Sequence, residues 1–298
     1  MPATLPLRHF LLALAVVAVW GINFVVIKFA LGALPPLLMA ALRFGLVLLP
    51  GLFFCARPAV PLGNLALYGL LIGAGQFGLL YVAMNGHISP GLASLVIQVQ
   101  VFFTIGLAMR LSGERVRPFQ WFALLLAAGG IGVIILHTDG STTPLGLFLV
   151  LLAAFCWAGG NIAAKQGAPS NMLAYVVWSS AFAVPPLVAL SLAVEGRDAI
   201  VSALTTADSA AWAAVAWQAW GNSLFGYAAW GWLLARHPAA TITPMAMLVP
   251  VFGMGAAALW LDESLPGWKL TAAALVLAGL AINLLWPRLR AALAAGGR

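Results

Sequence analysis

Apolar runs of about 20 residues follow one another along this chain, broken by short clusters of Gly, Pro and charged residues. A bilayer core about 30 Å thick takes roughly 20 helical residues to cross, so each run has the length of a transmembrane helix. A membrane β-barrel would alternate apolar and polar positions over short segments, and no such alternation is present. The breaks predict ten helices, at 8–30, 35–55, 64–86, 90–110, 117–137, 144–166, 171–194, 209–234, 238–260 and 267–287. The connections are short, as expected of a compact bundle. The first run follows Arg8 but is too long for a signal peptide and lacks a small-residue cleavage site before the second run, so it is expected to remain as a helix.

Composition agrees with a membrane bundle. Of 298 residues 63% are hydrophobic and only 7% charged, against about 25% charged in a soluble domain. The placement of charge orients the bundle. With the N-terminus in the cytoplasm, ten of the 14 basic residues fall on the inner side, among them Arg8, Arg57, Arg110 and Arg236. Only Arg197 and Lys269 fall on the outer side, and Lys28 and Arg43 lie within spans. This is the positive-inside pattern, and it predicts that both termini are cytoplasmic. The basic residues form no dense patch, so the net charge of +7 reflects topology rather than nucleic-acid binding. Cys55 and Cys156 sit in separate runs, which argues against a structural disulfide, and two cysteines are too few for a zinc site. No metal or cofactor is expected.

The chain carries an internal echo. Trp20 and Lys28 bracket Asn23 as Trp157 and Lys165 bracket Asn161, at an offset of 137 (20 to 157). "LSGERVRPFQW" around Glu114 resembles "WLDESLPGWKL" around Glu263, at an offset of 149 (114 to 263). Residues 1–140 and 141–298 therefore read as two repeats of five helices. Five is odd, so the halves cross the membrane in opposite senses. The expected fold is an all-α integral membrane protein, ten helices as two inverted repeats around a central cavity. Such duplications mark transporters with a binding site near the midplane.

The stretches "VWGINFVVIKFA" at 19–30, "PPLLMAALRF" at 35–44, "SPGLASLVIQVQVFFT" at 89–104, "SGERV" at 112–116, and "LVPVF" and "LDE" between 248 and 263 resemble the EamA branch of the drug/metabolite transporter superfamily. The resemblance covers nearly the whole chain and is nearest to bacterial exporters of amino acids and related metabolites. It implies a basket of ten helices that works by alternating access.

Polar residues inside the spans are the candidates for function. A cation at the bilayer centre costs about 2.5–3.5 kcal/mol on insertion scales and usually faces a cavity. Arg43 sits eight residues into the second helix with no acid in any span, so it either contacts a substrate's carboxylate or a gate, or is bonded to carbonyls. Lys28 lies against the positive-inside trend, although its stem is long enough to reach the outer interface. Lys165 lies at a helix end, where snorkelling accounts for it. Trp157, Asn161 and Lys165 share one polar stripe, which faces either a cavity or a partner helix. Gln98 and Gln100 are two apart and point to different faces, so at most one should face a cavity squarely. Asn222, in the eighth helix, is a further candidate for substrate binding. Trp20, Trp157, Trp178, Tyr81 and Tyr227 lie deep in the spans, as core packing or as the wall of a cavity that accepts large apolar side chains. Pro185, Pro186, Pro244 and Pro250 interrupt helical hydrogen bonding, either as gating hinges or as static kinks.

Other chemistries fit less well. "GAGQFG" at 73–78 matches GxGxxG but lies within a helix, with no acid before Glu114. Its Gly73 and Gly78, with Gly69, are expected to let helices approach closely, and Gly221, Gly226 and Gly231 to do the same later. The four histidines lie near helix ends, and no HExxH or GxSxG motif occurs, which disfavours a membrane-embedded enzyme. A receptor would not need an inverted repeat. A drug exporter would want a buried carboxylate, and none lies within a span. A drug or other metabolite carrier, such as a nucleotide-sugar-like one, stays open as an alternative.

The reading is an exporter of amino acids and similar small zwitterionic metabolites in the bacterial inner membrane. Its only other partners are membrane lipids, and nucleic acid has no part. With no acid inside the membrane to carry a coupling proton, transport is expected to be facilitative. The topology has a direct test. Cytoplasmic reporters fused to either terminus should be active, and periplasmic activity at either would overturn the assignment.

Overall fold

The computed structural model describes residues 5–112, 117–137, 142–237 and 239–296. Glu114, Arg115, Asp139 and Arg298 lie outside the described residues. The described chain is a bundle of helices: α1 (Leu7–Ala30), α2 (Pro36–Phe54), α3 (Leu62–Met84), α4 (Pro90–Leu111), α5 (Pro118–Leu136), α6 (Pro144–Gly167), α7 (Met172–Val194), α8 (Arg197–Thr206), α9 (Ser209–Leu234), α10 (Thr243–Trp260) and α11 (Gly267–Gly296). Among the described residues nine of these are long and apolar enough to cross a membrane, and α8 with α9, bent by 103°, supplies a tenth span. The ten expected helices are present with ends shifted by a few residues. The short α8 is the departure, because 195–208 reads in sequence as a loop. Gly196, at φ 84°, turns the chain out of α7, and the Asp208 carboxylate then caps α9 by accepting from Ala211 N.

Local chemistry sets the other starts. Pro36, Pro90, Pro118 and Pro144 stand in the first turn of α2, α4, α5 and α6, where a missing N–H removes no helical bond. The Asn171 and Thr143 side chains cap α7 and α6. Large apolar side chains cover the outside, with Phe53 and Phe54 more than four-fifths exposed at 86% and 87%. In water such a surface would aggregate, whereas against lipid it is the ordinary exterior of a multi-pass membrane protein.

The helix pairings carry the inverted repeat. α1 packs on α10 and α6 packs on α4. α3 packs on α6 and α7, while α9 packs on α1 and α2. α2 pairs with α7, and α5 with α11. Exchanging the two halves maps this set of contacts onto itself. The irregular turns repeat as well. α3 contains a π-helical stretch at Leu70–Gly78 and α9 one at Trp217–Phe225, of nine residues each and 147 positions apart at both ends (70 to 217, 78 to 225). α4 tightens to a 3₁₀ turn at Ile97–Val99, and α10 begins with one at Thr243–Leu248. Pro244 stands in the first turn of that second 3₁₀ stretch and Pro250 in the first turn of the α-helix that follows it, whereas α7 runs unbroken as α-helix through Pro185 and Pro186.

Close approach at glycine fixes the tight contacts. A Cβ on Gly69 would collide with the Ser179 carbonyl of α7, one on Gly73 with Ala183, and one on Gly226 with the Trp20 indole. Gly78 meets Leu187 at 3.3 Å, which is tight but not forbidding. Gly221 and Gly231 do not act this way: a Cβ there meets only its own helix's Trp217, or Met172 at 3.9 Å. Neither has a neighbouring backbone pressed against it.

Two carboxylates at the end of the bundle away from the termini tie one repeat to the other. Glu195, ending α7, accepts from Leu37 N at 2.6 Å and Leu38 N at 3.0 Å, the first turn of α2. Glu263, after α10, accepts from Gly91 N at 2.9 Å and Ser89 Oγ at 2.5 Å at the start of α4, and pairs with Lys269 at 3.0 Å. A carboxylate at a helix N-terminus satisfies free N–H groups and meets the positive end of the dipole. Lys269 is buried, so removing it leaves Glu263 as an uncompensated charge. Lys269→Met should therefore cost about 3–5 kcal/mol, and adding Glu263→Gln should recover part of it. Thermal unfolding in detergent measures both. Equal midpoints for wild type and Lys269→Met would show that the pair carries no stability.

Candidate functional site

The candidate site is a cavity of about 870 Å³ between the two repeats, within the range of small-molecule sites. It runs from the deep positions Phe24, Ile27 and Leu80 to residues 169–173 at the start of α7, Ala235 and Leu284, so it opens at the end of the bundle where α1 starts. The opposite end is the one held by Glu195 and Glu263.

Helix α1 presents Trp20, Asn23, Phe24 and Ile27 to the cavity, a stripe at i, i+3, i+4 and i+7. Lys28 lies about 90° from the centre of that stripe at 100° per residue. It is exposed and does not line the cavity, contrary to expectation. From the second repeat come Trp157 and Asn161 of α6 and Asn222, Tyr227 and Trp230 of α9. The Trp20 indole donates to Asn222 O at 3.1 Å and packs on Trp230 with ring centroids 5.1 Å apart. Lys165 is exposed at the end of α6 and does not share the cavity wall with Trp157 and Asn161.

Gln98 and Gln100 both line the cavity, contrary to the expectation of one. The 3₁₀ turn between them is the reason. Two residues of α-helix turn through 200°, leaving side chains about 160° apart, whereas three residues per turn leaves about 120°. Gln98 Nε2 donates to Ala246 O at 3.2 Å across the repeat boundary. Gln100 Oε1 accepts from Asn161 Nδ2 at 2.8 Å. The polar face of α6 is thus both cavity wall and interhelical bond.

Three further candidates stand away from this cavity. Arg43 does not line this cavity. Its guanidinium turns towards α3 and α9, where Nη1 donates to Tyr81 Oη at 2.8 Å and to Gln218 Oε1 at 3.3 Å, and Nη2 to Ser223 Oγ at 2.9 Å. Its carbon Cζ sits 3.7 Å from the Phe77 ring centroid, a close cation–π contact. Tyr81 follows Leu80 on the far side of α3 and belongs to this cluster, donating to Gln218 Oε1 at 2.9 Å. Trp178 donates its indole N–H to Cys55 O at 3.0 Å and ties α7 to the end of α2.

Sequence reasoning missed Gln76, Tyr68 and Phe77, all on the cavity wall. Gln76 was legible as a lone amide inside an apolar span, but its glycine-rich surroundings draw attention to packing alone. Seven amide side chains line the cavity: Asn23, Gln76, Gln98, Gln100, Asn161, Asn171 and Asn222. No Asp, Glu, Lys, Arg or His stands among its described lining residues. The amide oxygens of Asn23 and Gln76 have no hydrogen-bond partner. Among the described residues no cluster of His, Cys, Asp or Glu suits a metal ion.

The EamA-like transporter family model matches residues 7–136 and 144–285, one match in each half, and this chain belongs to that family. A protein of Salmonella typhimurium named "probable amino-acid metabolite efflux pump" is 43% identical, over 94% of this chain and 95% of its own. One of the same name from Escherichia coli is 42% identical, over 96% of this chain and 97% of its own. A crystal structure of a protein 19% identical superimposes with a TM-score of 0.60, covering 94% of this chain and 98% of that one, which shows the fold. The chain is thus a multi-pass membrane transporter.

The unpartnered oxygens separate stability from binding. Replacing Asn23 or Gln76 by Leu removes a buried polar atom that makes no bond, so stability should hold or rise. Substrate binding should fall at least several-fold. A clear drop in the unfolding midpoint of either variant would show that the oxygen is bonded in the folded protein.

Proposed function

We propose that this transporter exports amino acids and similar small zwitterionic metabolites from the cytoplasm. The observation that carries the reading is the absence of fixed charge from the described cavity wall, combined with seven amides and several aromatic rings. An amide offers an oxygen to an ammonium group and an N–H pair to a carboxylate, so a wall of amides suits a molecule whose two charges cancel. The rings of Trp20, Trp157, Tyr227 and Trp230 offer apolar faces to a side chain. The names of the Salmonella and Escherichia coli relatives point to the same substrates. A cationic drug or an acidic metabolite finds no counter-charge there, which favours a zwitterion over the alternatives, and nothing in the wall suggests catalysis.

In this reading residues 1–140 and 141–298 are the two inverted repeats, the protein lies in the inner membrane, and both termini are cytoplasmic. The cavity then opens to the cytoplasm. Pro244 and Pro250, in the first turns of the 3₁₀ stretch of α10 and of the α-helix after it, and Pro185 and Pro186 in α7 are the points of bending. Substrate moves down its own gradient, because no carboxylate or imidazole lines the described path to bind and release a proton.

Counterflow in proteoliposomes at equal pH tests substrate and energetics together. Phenylalanine, leucine and alanine should exchange, while glutamate, lysine and a quaternary ammonium drug should exchange at least tenfold more slowly. Exchange confined to the quaternary cation would replace the amino-acid reading with a drug exporter. Uptake against the substrate's own gradient, seen only when a pH gradient is imposed, would overturn the facilitative mechanism.

A further inference from the structure

Behind the aromatic wall of the large cavity lies a second, much smaller one. Its volume is about 10 Å³, and buried Arg43, Ser179 and Ser223 stand in its wall. Tyr68, Phe77 and Tyr227 line both cavities and form the partition between them. A volume of about 10–15 Å³ is what one water-sized particle needs.

The chemistry of this pocket is unbalanced. Arg43 is 1% exposed, and each of its hydrogen-bond partners is a neutral oxygen. No carboxylate among the described residues belongs to the cluster. A guanidinium offers five N–H donors, and four donated bonds are present, from Nε and Nη2 to Ser223 Oγ and from Nη1 to Tyr81 and Gln218. The Ser179 hydroxyl lines the pocket and has no partner, although the residue is 1% exposed. The Gln218 amide nitrogen is also buried without a partner. Donors therefore outnumber acceptors around a full positive charge. A buried charge without a counter-charge costs several kcal/mol, and the Phe77 face offsets only part of that.

We propose that this small cavity binds one monatomic anion, a halide such as chloride, held between the Arg43 guanidinium and the Ser179 hydroxyl. A water molecule would fill the volume but leave the charge uncompensated. A carboxylate group does not enter unless the partition of Tyr68, Phe77 and Tyr227 moves. The bound anion would neutralise Arg43 next to the transport cavity, so that a substrate of zero net charge meets no long-range field from it. The inference extends beyond the proposed transport activity and does not depend on which metabolite is carried.

The test uses the purified full-length protein in detergent, exchanged into sodium gluconate, with unfolding followed by tryptophan fluorescence. Adding chloride or bromide at constant sodium should raise the midpoint in a saturable way, and sulfate at matched ionic strength should not. Arg43→Gln should abolish the response, and Ser179→Ala should raise the half-saturating chloride concentration several-fold. A midpoint indifferent to halide, or a response unchanged in both variants, overturns the site. Where Arg43→Gln does not fold, Ser179→Ala decides alone. L-alanine added in gluconate separates the two sources of negative charge. A rise that requires Arg43 and removes the chloride response would reassign the pocket to the substrate's carboxylate and overturn the halide. No such competition is expected.

Discussion

Within a bilayer a polar group that leaves its partner finds no water, and each one left unpaired costs several kcal/mol. That constraint places almost every polar side chain in this bundle. The backbone answers it by being helical. The amides of α1, α3, α4, α6 and α9 answer it by turning inward to line a cavity. Fixed charges answer it by leaving for the helix ends, where Glu195 and Glu263 meet free N–H groups and Lys28 and Lys165 reach the surface. Among the described residues Arg43 is the exception, buried among Tyr81, Gln218 and Ser223.

The cavity depends as much on departures from the α-helix as on side chains. A π-helical turn is wider than an α turn and shifts the hydrogen-bond register, and such turns are common at functional sites. Here they occupy matching places in α3 and α9 and carry Gln76 and Phe77 in one repeat and Asn222 and Ser223 in the other. The 3₁₀ turn of α4 brings Gln98 and Gln100 to one cavity. The two repeats have diverged in sequence, but the same helical irregularities persist at the same depth.

This explains what was legible in the sequence and what was not. Span positions follow from length and apolarity, so the ten helices and their pairing in two halves could be read directly. α8 could not, because its ten polar and apolar residues lie outside any long run and depend on the turn at Gly196. Most of the cavity amides and Trp20, Trp157 and Tyr227 were legible because polar or aromatic residues inside a span must face something other than lipid. What they face is a different matter. Arg43, Tyr81 and Trp178 obey the same rule by bonding one another's helices, and α-helical periodicity cannot distinguish that outcome from a cavity wall. Periodicity also fails across a π or 3₁₀ turn, where the angle per residue changes, and that is where Gln76 and the Gln98–Gln100 pair lie.

The two ends of the bundle have different chemistry, and the difference bounds the energy of any exchange between them. A carrier that exposes one site alternately to each side must separate the repeats where Glu195 and Glu263 now join them. Carboxylate bonds to Leu37 N, Leu38 N, Ser89 Oγ and Gly91 N cross that boundary, and beside them Thr143 N and Oγ1 donate to His87 O. A hydrogen bond to a charged group contributes about 1.5–3 kcal/mol net, towards the lower figure where the freed carboxylates and N–H groups recover water at a membrane surface. The four carboxylate bonds are then worth about 6 kcal/mol or more, at or above the ~5.5 kcal/mol that takes a two-state equilibrium from 1:99 to 99:1. A latch of that size holds one state in the absence of substrate, and reversing it takes a comparable preference of the substrate for the other state. The buried pair of Glu263 with Lys269 lies within the second repeat and need not break.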